Sequence, residues 1–254
     1  MVRDAGKDKG GLRVIVSSVI TYYRRPQNLE KVIQGIRSQS VGSELIVWDN
    51  SPDEPIKDFF GMGIDQYFYG GKNSYCLPKY SLIKNIETDY VFNTDDDLKI
   101  NDKCLFEKFI EFSYRHPQAV IGWNGRVFDK DINWDKAYSF PGHGWVDFDE
   151  SESILCDVIN FGVSFFPTGL LKGLELNPYC DDEFKVAEEQ FRNGDDIWIS
   201  AVMEKARIEK RVMPFHLKPL FEWLDEGGYA LSKMSNHMVI RDGLCKRFFM
   251  GKYK

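Results

Sequence analysis

The sequence has no apolar run long enough to cross a bilayer, no block of lysine and arginine, and no paired cysteine motif. A membrane-spanning helix needs about 20 consecutive, mostly apolar residues, so none is predicted. The net charge of -6 and the pI near 5.4, together with the missing basic block, argue against nucleic-acid binding. Residues 1–11 are polar and contain no signal-peptide core, so we expect a soluble, cytoplasmic protein without a transmembrane segment.

The five cysteines are odd in number and scattered, and none of them forms a C-x-x-C pair. Disulfide frameworks and zinc sites need paired or regularly spaced cysteines, so this pattern is typical of reduced thiols in a cytosol-like compartment. Hydrophobic residues make up 43% of the 254 positions, which is enough for the core of one large domain or two small ones.

Strand and helix patterns alternate along the first half of the chain. Nearly continuous apolar runs predict strands at residues 12–20, 44–48, 66–69 and 89–93, and helical spacing predicts helices at residues 26–39, 78–86 and 101–115. The second half is less regular, with strands predicted at 119–123 and 157–166 and a helix at 194–206. This alternation predicts an α/β fold with a mostly parallel sheet and helices on both faces.

An acidic motif, TDDD at residues 94–97, directly follows the predicted strand at 89–93. The adjacent carboxylates of Asp95, Asp96 and Asp97 repel one another, and a divalent cation relieves that repulsion because hard ions take several oxygen ligands. An acidic turn that caps the next helix is the alternative. The position at the carboxyl end of a strand, where open α/β sheets bind ligands, favours the metal.

A second acidic centre, Asp195 and Asp196, stands at the start of the predicted helix at 194–206, where helix capping and dipole compensation are the default roles.

The long segment 129–152 is rich in aromatic residues. Loops of that length are usually functional or contain strands of their own. Its rings either stack on sugar faces or hold the segment against the body of the protein.

Short stretches along the chain together resemble one enzyme family. They are residues 21–26, 46–50, 77–78, 86–89 leading into 95–97, 120–123 and 193–197, and the C-terminal set His237, Arg241, Cys245 and Phe248. Each stretch alone is weak evidence. In this order, across about residues 14–249, they resemble the exostosin family, glycosyltransferase family 64, whose members have the GT-A fold.

This resemblance implies a single GT-A domain over residues 1–254, with a mostly parallel, Rossmann-like central sheet flanked by helices and a smaller antiparallel sheet on the acceptor side. It divides the chain into a nucleotide-sugar-binding half, about residues 12–100, and an acceptor-binding half, about residues 101–254. It also implies a nucleotide-sugar donor of the UDP type, a glycan or glycoconjugate acceptor, Mn²⁺ (or Mg²⁺), and retention of the anomeric configuration.

Glycosyl transfer releases a nucleoside diphosphate, so negative charge builds on the leaving group, and a divalent ion stabilises that charge as a Lewis acid. We predict that Asp97 and Asp95 bind this ion, and that Asp95 or Asp96 otherwise contacts the ribose or the other ligands of the ion. His237 is a further candidate metal ligand or phosphate contact, because a neutral imidazole suits transition metals, although a lone histidine is more often structural.

The resemblance aligns Asp196 with the family's catalytic aspartate and Arg241 with its active-site arginine, and Asp195 is assigned to the same catalytic group. Asp196 would orient the acceptor hydroxyl, stabilise an oxocarbenium-like centre, or, in an inverting enzyme, act as the general base. A guanidinium matches phosphate oxygens in a bidentate way, so Arg241 is also a candidate phosphate ligand. A surface salt bridge is the alternative role for Arg241.

The nucleotide is expected at the ends of the first three strands. The predicted nucleotide-sugar-binding residues are Thr21, Tyr23, Arg25, Asp49, Asn50, Asn73, Tyr75, Asp95 and Asp96. The family carries an arginine at the position of Tyr75, and this departure leaves the identity of the donor open. Lys72, Lys79 and Lys84 are candidates for the missing positive charge.

Two other functions stay open. An inverting GT-A glycosyltransferase of the family-2 type also uses a strand followed by Asp-x-Asp and a later acidic pair, and it differs in the anomeric configuration of its product. A non-catalytic module that binds sugars or nucleotides is the second alternative. The joint presence of Asp97, Asp196 and Arg241 argues against the module.

Overall fold

The computed structural model describes residues 16–128, 132–135, 137–140, 153–180, 182–214, 220–224 and 236–251. The strands are β1 (Val16–Tyr22), β2 (Ser43–Asp49), β3 (Gln66–Tyr69), β4 (Tyr90–Asp95), β5 (Leu98–Ile100), β6 (Ala119–Gly122), β7 (Gly125–Val127), β8 (Tyr138–Phe140), β9 (Ile154–Leu155), β10 (Val158–Ile159), β11 (Val163–Pro167), β12 (Glu209–Val212) and β13 (Phe221–Trp223). The helices are α1 (Pro26–Arg37), α2 (Leu77–Ile83), α3 (Leu105–Arg115), α4 (Gly169–Lys172), α5 (Glu188–Lys205) and α6 (His237–Phe249). Within these ranges no helix combines the length and the apolar character that a membrane span needs. Most of the aromatic segment 129–152 and the start of the first predicted strand lie outside the described residues.

An eight-stranded sheet, in the order β3-β2-β1-β4-β11-β6-β12-β9, forms the centre of the fold. Strands β3, β2, β1 and β4 are parallel, whereas β11 is antiparallel to both β4 and β6. Two smaller antiparallel sheets are built from β10-β7-β8 and from β13-β5. The predicted α/β class, with a mostly parallel central sheet flanked by helices and a smaller antiparallel sheet, is confirmed.

Apolar side chains of the central strands divide between two hydrophobic cores. Val19 of β1 and Val91 of β4 belong to one core, with α2 and α5, whereas their neighbours Ile20 and Phe92 belong to the other, with α1 and α3. Successive side chains of a strand point to opposite faces of the sheet, so a strand covered on both faces must be apolar at nearly every position. This explains the continuous apolar runs of the sequence.

The parallel strands end together at one edge of the sheet. Thr21 of β1 is in register with Asp95 of β4 and with Trp48 of β2, and Tyr22 is in register with Asp49. The loops that follow β1, β2 and β4 therefore meet at this edge, which is where open α/β sheets bind ligands.

Two predicted elements are divided differently in the structure. The strand predicted at 157–166 is two strands, β10 and β11, which lie in different sheets. The helix predicted at 101–115 begins only at Leu105, because the pairing of β5 with β13 continues to Asn101, whose N–H donates to the carbonyl of Leu220 at 2.8 Å. In both cases long-range strand pairing overrides the local pattern.

The helix predicted at 194–206 starts earlier, as α5 from Glu188, and is interrupted at Gly194, whose backbone is non-helical (φ -153°, ψ 37°). A Cβ at Gly194 would overlap the side chain of Leu244 in α6. A glycine at the interruption therefore lets α5 and α6 pack closely. The break at Gly194 also changes the course of the chain between the first turns of α5 and the residues that follow it.

Candidate active site

A cleft of about 810 Å³ opens at the carboxyl edge of the parallel strands. This volume lies in the range typical of small-molecule sites, about 300–1,000 Å³. The predicted site residues that line the cleft are Thr21, Tyr23, Arg25, Asn50, Asn73, Tyr75, Asp95, Asp96, Asp97, Asp195, Asp196, His237 and Arg241. The fold thus brings together two acidic centres that lie far apart in the sequence.

Asp49, predicted to bind the nucleotide, is not among the described residues that line the cleft. Its carboxylate is buried and accepts hydrogen bonds from the backbone N–H of Ser51 (2.7 Å) and Ile56 (3.0 Å) and from the hydroxyl of Tyr67 (2.8 Å). Burial, together with Asp49, raises the pKa of Tyr67, so its hydroxyl stays a donor. The geometry gives Asp49 the role of holding the loop after β2, because its oxygens are already occupied.

Asp96 anchors the acidic motif to the loop after β1. Its buried carboxylate accepts a hydrogen bond from the N–H of Tyr23 at 2.8 Å and one from Nη1 of Arg25 at 2.6 Å. Burial raises the pKa of Asp96 to about 7, although Arg25 and the Tyr23 N–H lower it. Arg25 also donates to Oδ2 of Asp97 at 3.0 Å, so one guanidinium bridges two carboxylates of the motif and offsets part of their repulsion.

Lys79 of α2 lies between the two acidic centres. Its Nζ is 3.1 Å from Oδ1 of Asp95 and 4.0 Å from Oδ2 of Asp195, and its side chain is only 5% exposed. Burial disfavours the charge of Lys79, but Asp95 and Asp195 more than offset this and raise its pKa, so the side chain is a cation. Asp95 is 42% exposed, and Gly162 leaves room beside it, because a Cβ there would overlap Oδ2 of Asp95.

Asp196 and Arg241 form a buried ion pair, with 2.5 Å between Oδ2 and Nη2. Arg241 is 7% exposed, so this is not the surface salt bridge considered from the sequence. Its Nη1 donates to the carbonyl of Asn193 at 2.8 Å, and its guanidinium carbon lies 3.9 Å from the centroid of the Trp134 ring. The pair therefore holds Asp196 in one orientation at the cleft.

Asp195 is held by a hydrogen bond that the hydroxyl of Tyr80 donates to its Oδ2 at 2.7 Å. Burial raises the pKa of Asp195, whereas Lys79 lowers it. Burial also raises the pKa of Tyr80 and of Cys76, so both stay protonated and uncharged. The contacts of Asp195 tie α5 to α2, and Asp196 is the carboxylate of the pair that is oriented by an arginine.

His237 lies at the start of α6, and its Nδ1 is 3.1 Å from Oδ1 of Asn193. Burial and the nearby Arg241 lower the pKa of His237, and Asp196 only partly opposes them, so the imidazole is neutral at pH 7. The Asn193 contact leaves Nε2 as the nitrogen through which His237 would meet a metal or a phosphate.

The side chain of Asn50, just after β2, fixes the loop that carries Asn73 and Tyr75. Its Nδ2 donates to the carbonyl of Tyr75 at 2.8 Å, its Oδ1 accepts from the N–H of Ser74 at 3.1 Å, and Asn73 Oδ1 accepts from the N–H of Tyr75 at 2.8 Å. These bonds hold Tyr75 at φ 52°, a left-handed conformation that is unusual for an aromatic residue. Backbone strain of this kind concentrates at ligand sites.

Several residues of the cleft were not found from the sequence. They are Cys76, Asn124, Gly125, Arg126, Val158, Asn160, Gly162, Arg192, Trp223 and Met238. No motif marks them: Cys76 directly precedes α2, and the segments of the others reach the cleft through the antiparallel strands and through α5 and α6. Of the three candidate lysines, Lys79 lines the cleft, Lys72 is exposed, and Lys84 pairs with Glu175 at 3.4 Å.

Among the described residues, no group of three or more His, Cys, Asp or Glu side chains is arranged to hold a metal ion by itself. A metal bound by Asp97, Asp95 and His237 therefore stays a prediction. Mg²⁺-type sites often use only one or two carboxylates and take their remaining oxygen ligands from water and substrate phosphates.

The family model described as "Glycosyl transferase family 64 domain" matches residues 14–253 of the chain. A search of curated proteins finds no significant match. Among solved structures, the crystal structure of S. aureus TarS is similar, with a TM-score of 0.47 and 15% identity, over 78% of this chain and 35% of that chain. This chain therefore spans well under half of the length of TarS.

Proposed function

The chain belongs to glycosyltransferase family 64, and we propose that it moves a sugar from a nucleotide-sugar donor to a glycan acceptor. The observation that carries this proposal is that both acidic centres line one cleft at the carboxyl edge of the parallel strands. Sugar transfer needs both acidic centres. One must hold the cation that binds the anionic leaving group, and the other must place a carboxylate at the reacting sugar.

The nucleoside of the donor would bind where β1 and β2 end. Thr21, Tyr23 and Asn50 line the cleft there, and Oγ1 of Thr21 is buried without a hydrogen-bond partner among the described residues. A buried polar atom without a partner is costly, so a base or ribose that bonds to it gains affinity. We propose a uridine diphosphate sugar as the donor, with a guanosine compound as the first competitor to test.

Asp97 and Asp95 would hold Mn²⁺ or Mg²⁺. The residues fit such an ion, because the Asp95 carboxylate is partly exposed and Asp95 and Asp97 both line the cleft. Two carboxylates and the donor's phosphates form an oxygen set of the kind that these hard ions prefer. When bound, the ion would supply positive charge against the charge that develops on the departing diphosphate.

Asp196 is the proposed catalytic carboxylate. The buried Arg241 pairs with it and fixes its direction. An oriented carboxylate can align the acceptor hydroxyl and stabilise positive charge at the anomeric carbon. Lys79 and Tyr80 hold the side chain of Asp195. Asp195 in turn fixes the backbone of the next residue, Asp196.

Retention of the anomeric configuration is part of the proposal, and inversion is its alternative. In an inverting enzyme Asp196 would remove the proton of the acceptor hydroxyl as a general base. Both mechanisms use the same carboxylate, so the stereochemistry of the product decides between them. Proton NMR of a freshly formed product gives its anomeric configuration directly.

The acceptor glycan would enter along the rim formed by Trp223 and Met238. Trp223 is 55% exposed and Met238 is 43% exposed, and both line the cleft. Exposed apolar side chains beside polar groups are typical of ligand-binding surfaces. Trp223 lies next to the acidic motif, because the N–H of Leu224 donates to the carbonyl of Asp97 at 2.8 Å. An indole there can stack on the C–H face of a sugar.

A thermal-shift panel of nucleotides and nucleotide sugars, with and without Mn²⁺, tests the proposal. We expect a uridine diphosphate compound to raise the melting temperature only when the metal is present. Preference for guanosine compounds would change the proposed donor from a uridine to a guanosine diphosphate sugar and would leave the proposed glycosyltransferase activity intact. Absence of stabilisation by every nucleotide would contradict the proposal and favour a module that binds glycans.

A further inference from the structure

Arg192 of α5 lies over the ring of Tyr75, with 4.4 Å between its guanidinium carbon and the ring centroid. Both residues line the cleft. A guanidinium that stacks on an aromatic face keeps the N–H groups along its edge available for a ligand in its own plane. Nε of Arg192 is buried and has no hydrogen-bond partner in the described part of the chain.

Arg192 differs from the other cations of the cleft in its partners. The paired cations are Arg25 with Asp96, Lys79 with Asp95, and Arg241 with Asp196. Arg126 faces the backbone carbonyls of Trp134 and Ala137, at 3.4 and 3.5 Å. Within the described ranges the side chain of Arg192 meets no carboxylate at ion-pair distance and donates no hydrogen bond. Its charge is therefore available in a cleft whose aspartates would otherwise repel an anion.

The Tyr75–Arg192 pair links the end of β2, where the nucleoside of the donor is proposed to bind, to the segment of α5 that leads to Asp196, where the sugar is proposed to bind. Tyr75 is tied to the end of β2, because its carbonyl accepts the hydrogen bond from Asn50. Arg192 stands in the first turns of α5, just before the interruption at Gly194 that leads to Asp196. A nucleotide sugar carries its diphosphate between the nucleoside and the sugar, so an oxyanion of a donor bound in the proposed way would pass this point.

We propose that Arg192, held flat by Tyr75, binds the distal phosphate of the donor and orients the diphosphate as the leaving group. The inference rests on the proposed function, since it needs the nucleoside at the end of β2 and the sugar at Asp196. A planar guanidinium donates hydrogen bonds to two phosphate oxygens at once, which fixes the orientation of the phosphate and offsets its charge. The strained backbone of Tyr75 has a role in this arrangement, because it presents the ring on which Arg192 rests.

Isothermal titration calorimetry in Mn²⁺ tests the proposal, with the wild type, Arg192→Gln and Arg192→Lys against UDP and UMP, and GDP and GMP in parallel. A contact to the distal phosphate predicts that Arg192→Gln weakens diphosphate binding by about tenfold or more and monophosphate binding by less than about twofold. Arg192→Lys keeps the charge but loses the planar fork, so it should fall between the wild type and Arg192→Gln. Arg115→Gln is the matched control, since Arg115 stacks over Phe112 at 5.3 Å and does not line the cleft.

Variants of Tyr75 test the stacking itself. Tyr75→Phe keeps the ring, and the Tyr75 hydroxyl has no hydrogen-bond partner among the described residues, so UDP affinity should stay within about twofold of the wild type. Tyr75→Leu keeps apolar bulk but removes the π face, and we expect a loss of roughly threefold to tenfold for UDP with little change for UMP.

An unchanged ratio of UDP to UMP affinity in Arg192→Gln overturns the inference. An equal loss for UDP and UMP also overturns it, because it locates Arg192 on the part that both nucleotides share. A loss seen with UDP-glucuronate and not with UDP-glucose or UDP assigns Arg192 to a sugar carboxylate instead. Failure of the wild type to bind any nucleotide refutes the proposed function, and the inference falls with it.

Discussion

The buried ammonium of Lys79 lies 3.1 Å from the carboxylate of Asp95 and 4.0 Å from that of Asp195. A lysine with so little exposure is stable as a cation only because carboxylates surround it. Lys79 therefore couples the acidic motif after β4 to the acidic pair in α5, and the two centres of the cleft share one counter-ion.

Replacement of Lys79 by methionine should destabilise the protein by about 1–3 kcal/mol, because Asp195 would be left buried without its cation. Urea unfolding followed by circular dichroism measures this. Lys84→Met is the matched control: Lys84 is 46% exposed and pairs with Glu175 on the surface, so a change within about 0.5 kcal/mol is expected. Equal unfolding midpoints for the two variants would show that Lys79 has no such structural role.

Alanine at Gly162 should weaken metal-dependent nucleotide binding without unfolding the protein. The added Cβ would overlap Oδ2 of Asp95, and the flexible carboxylate would move away from its present position. Changes beside a metal ligand typically cost about 10–100-fold in metal affinity, and we expect the lower end of that range. The measurement is a Mn²⁺ titration of UDP binding.

Gly169→Ala is the control for Gly162→Ala, because a Cβ at Gly169 meets nothing within 4 Å. It should leave the Mn²⁺ titration unchanged. If Gly162→Ala also leaves it unchanged, the ion does not depend on the present position of Asp95.

The stability of the folded protein should depend on pH through His237. Its pKa is lowered in the folded state, chiefly by burial, so the folded protein favours the neutral imidazole. The unfolded chain takes up its proton near pH 6.5, and between the two pKa values the unfolded state binds more protons, so stability falls as the pH falls below about 6.5. Wild type should therefore lose more stability than His237→Gln between pH 7 and pH 5 in urea titrations. Parallel losses in the two proteins would contradict the lowered pKa.

The sequence predicts the elements of the fold whose own residues show a clear pattern, such as the continuous apolar run of a strand that is buried on both faces of the sheet. The apolar runs of β1, β2 and β4 and the helical spacing of α1 and α3 correspond to elements in the structure. Short strands such as β5 and β7 were missed, because their existence depends on pairing with β13 and β10. The interruption of α5 at Gly194 was also missed, since a single glycine does not reveal the helix that packs against it.

The acidic residues of the site were readable because they follow a strand or stand beside a glycine in recognisable motifs. Asp49 differs from them: it was chosen for its position at the end of β2, its carboxylate holds the next loop, and its contact with a nucleotide stays a prediction. Lys79 was only one of three candidate lysines, and Arg192 was not found at all, because the partners that define both residues are supplied by other elements.

We propose that Asp196 is the catalytic carboxylate of sugar transfer in this cleft, and one paired measurement tests this role. Donor affinity and nucleoside diphosphate release, with a panel of glycans and Mn²⁺, are measured for the wild type and for Asp196→Asn. We predict that Asp196→Asn binds the donor within about threefold of the wild type and turns it over at least about 100-fold more slowly, as expected for loss of a positioned catalytic group. Turnover at the wild-type rate in Asp196→Asn would contradict the account and assign the chemistry to another residue.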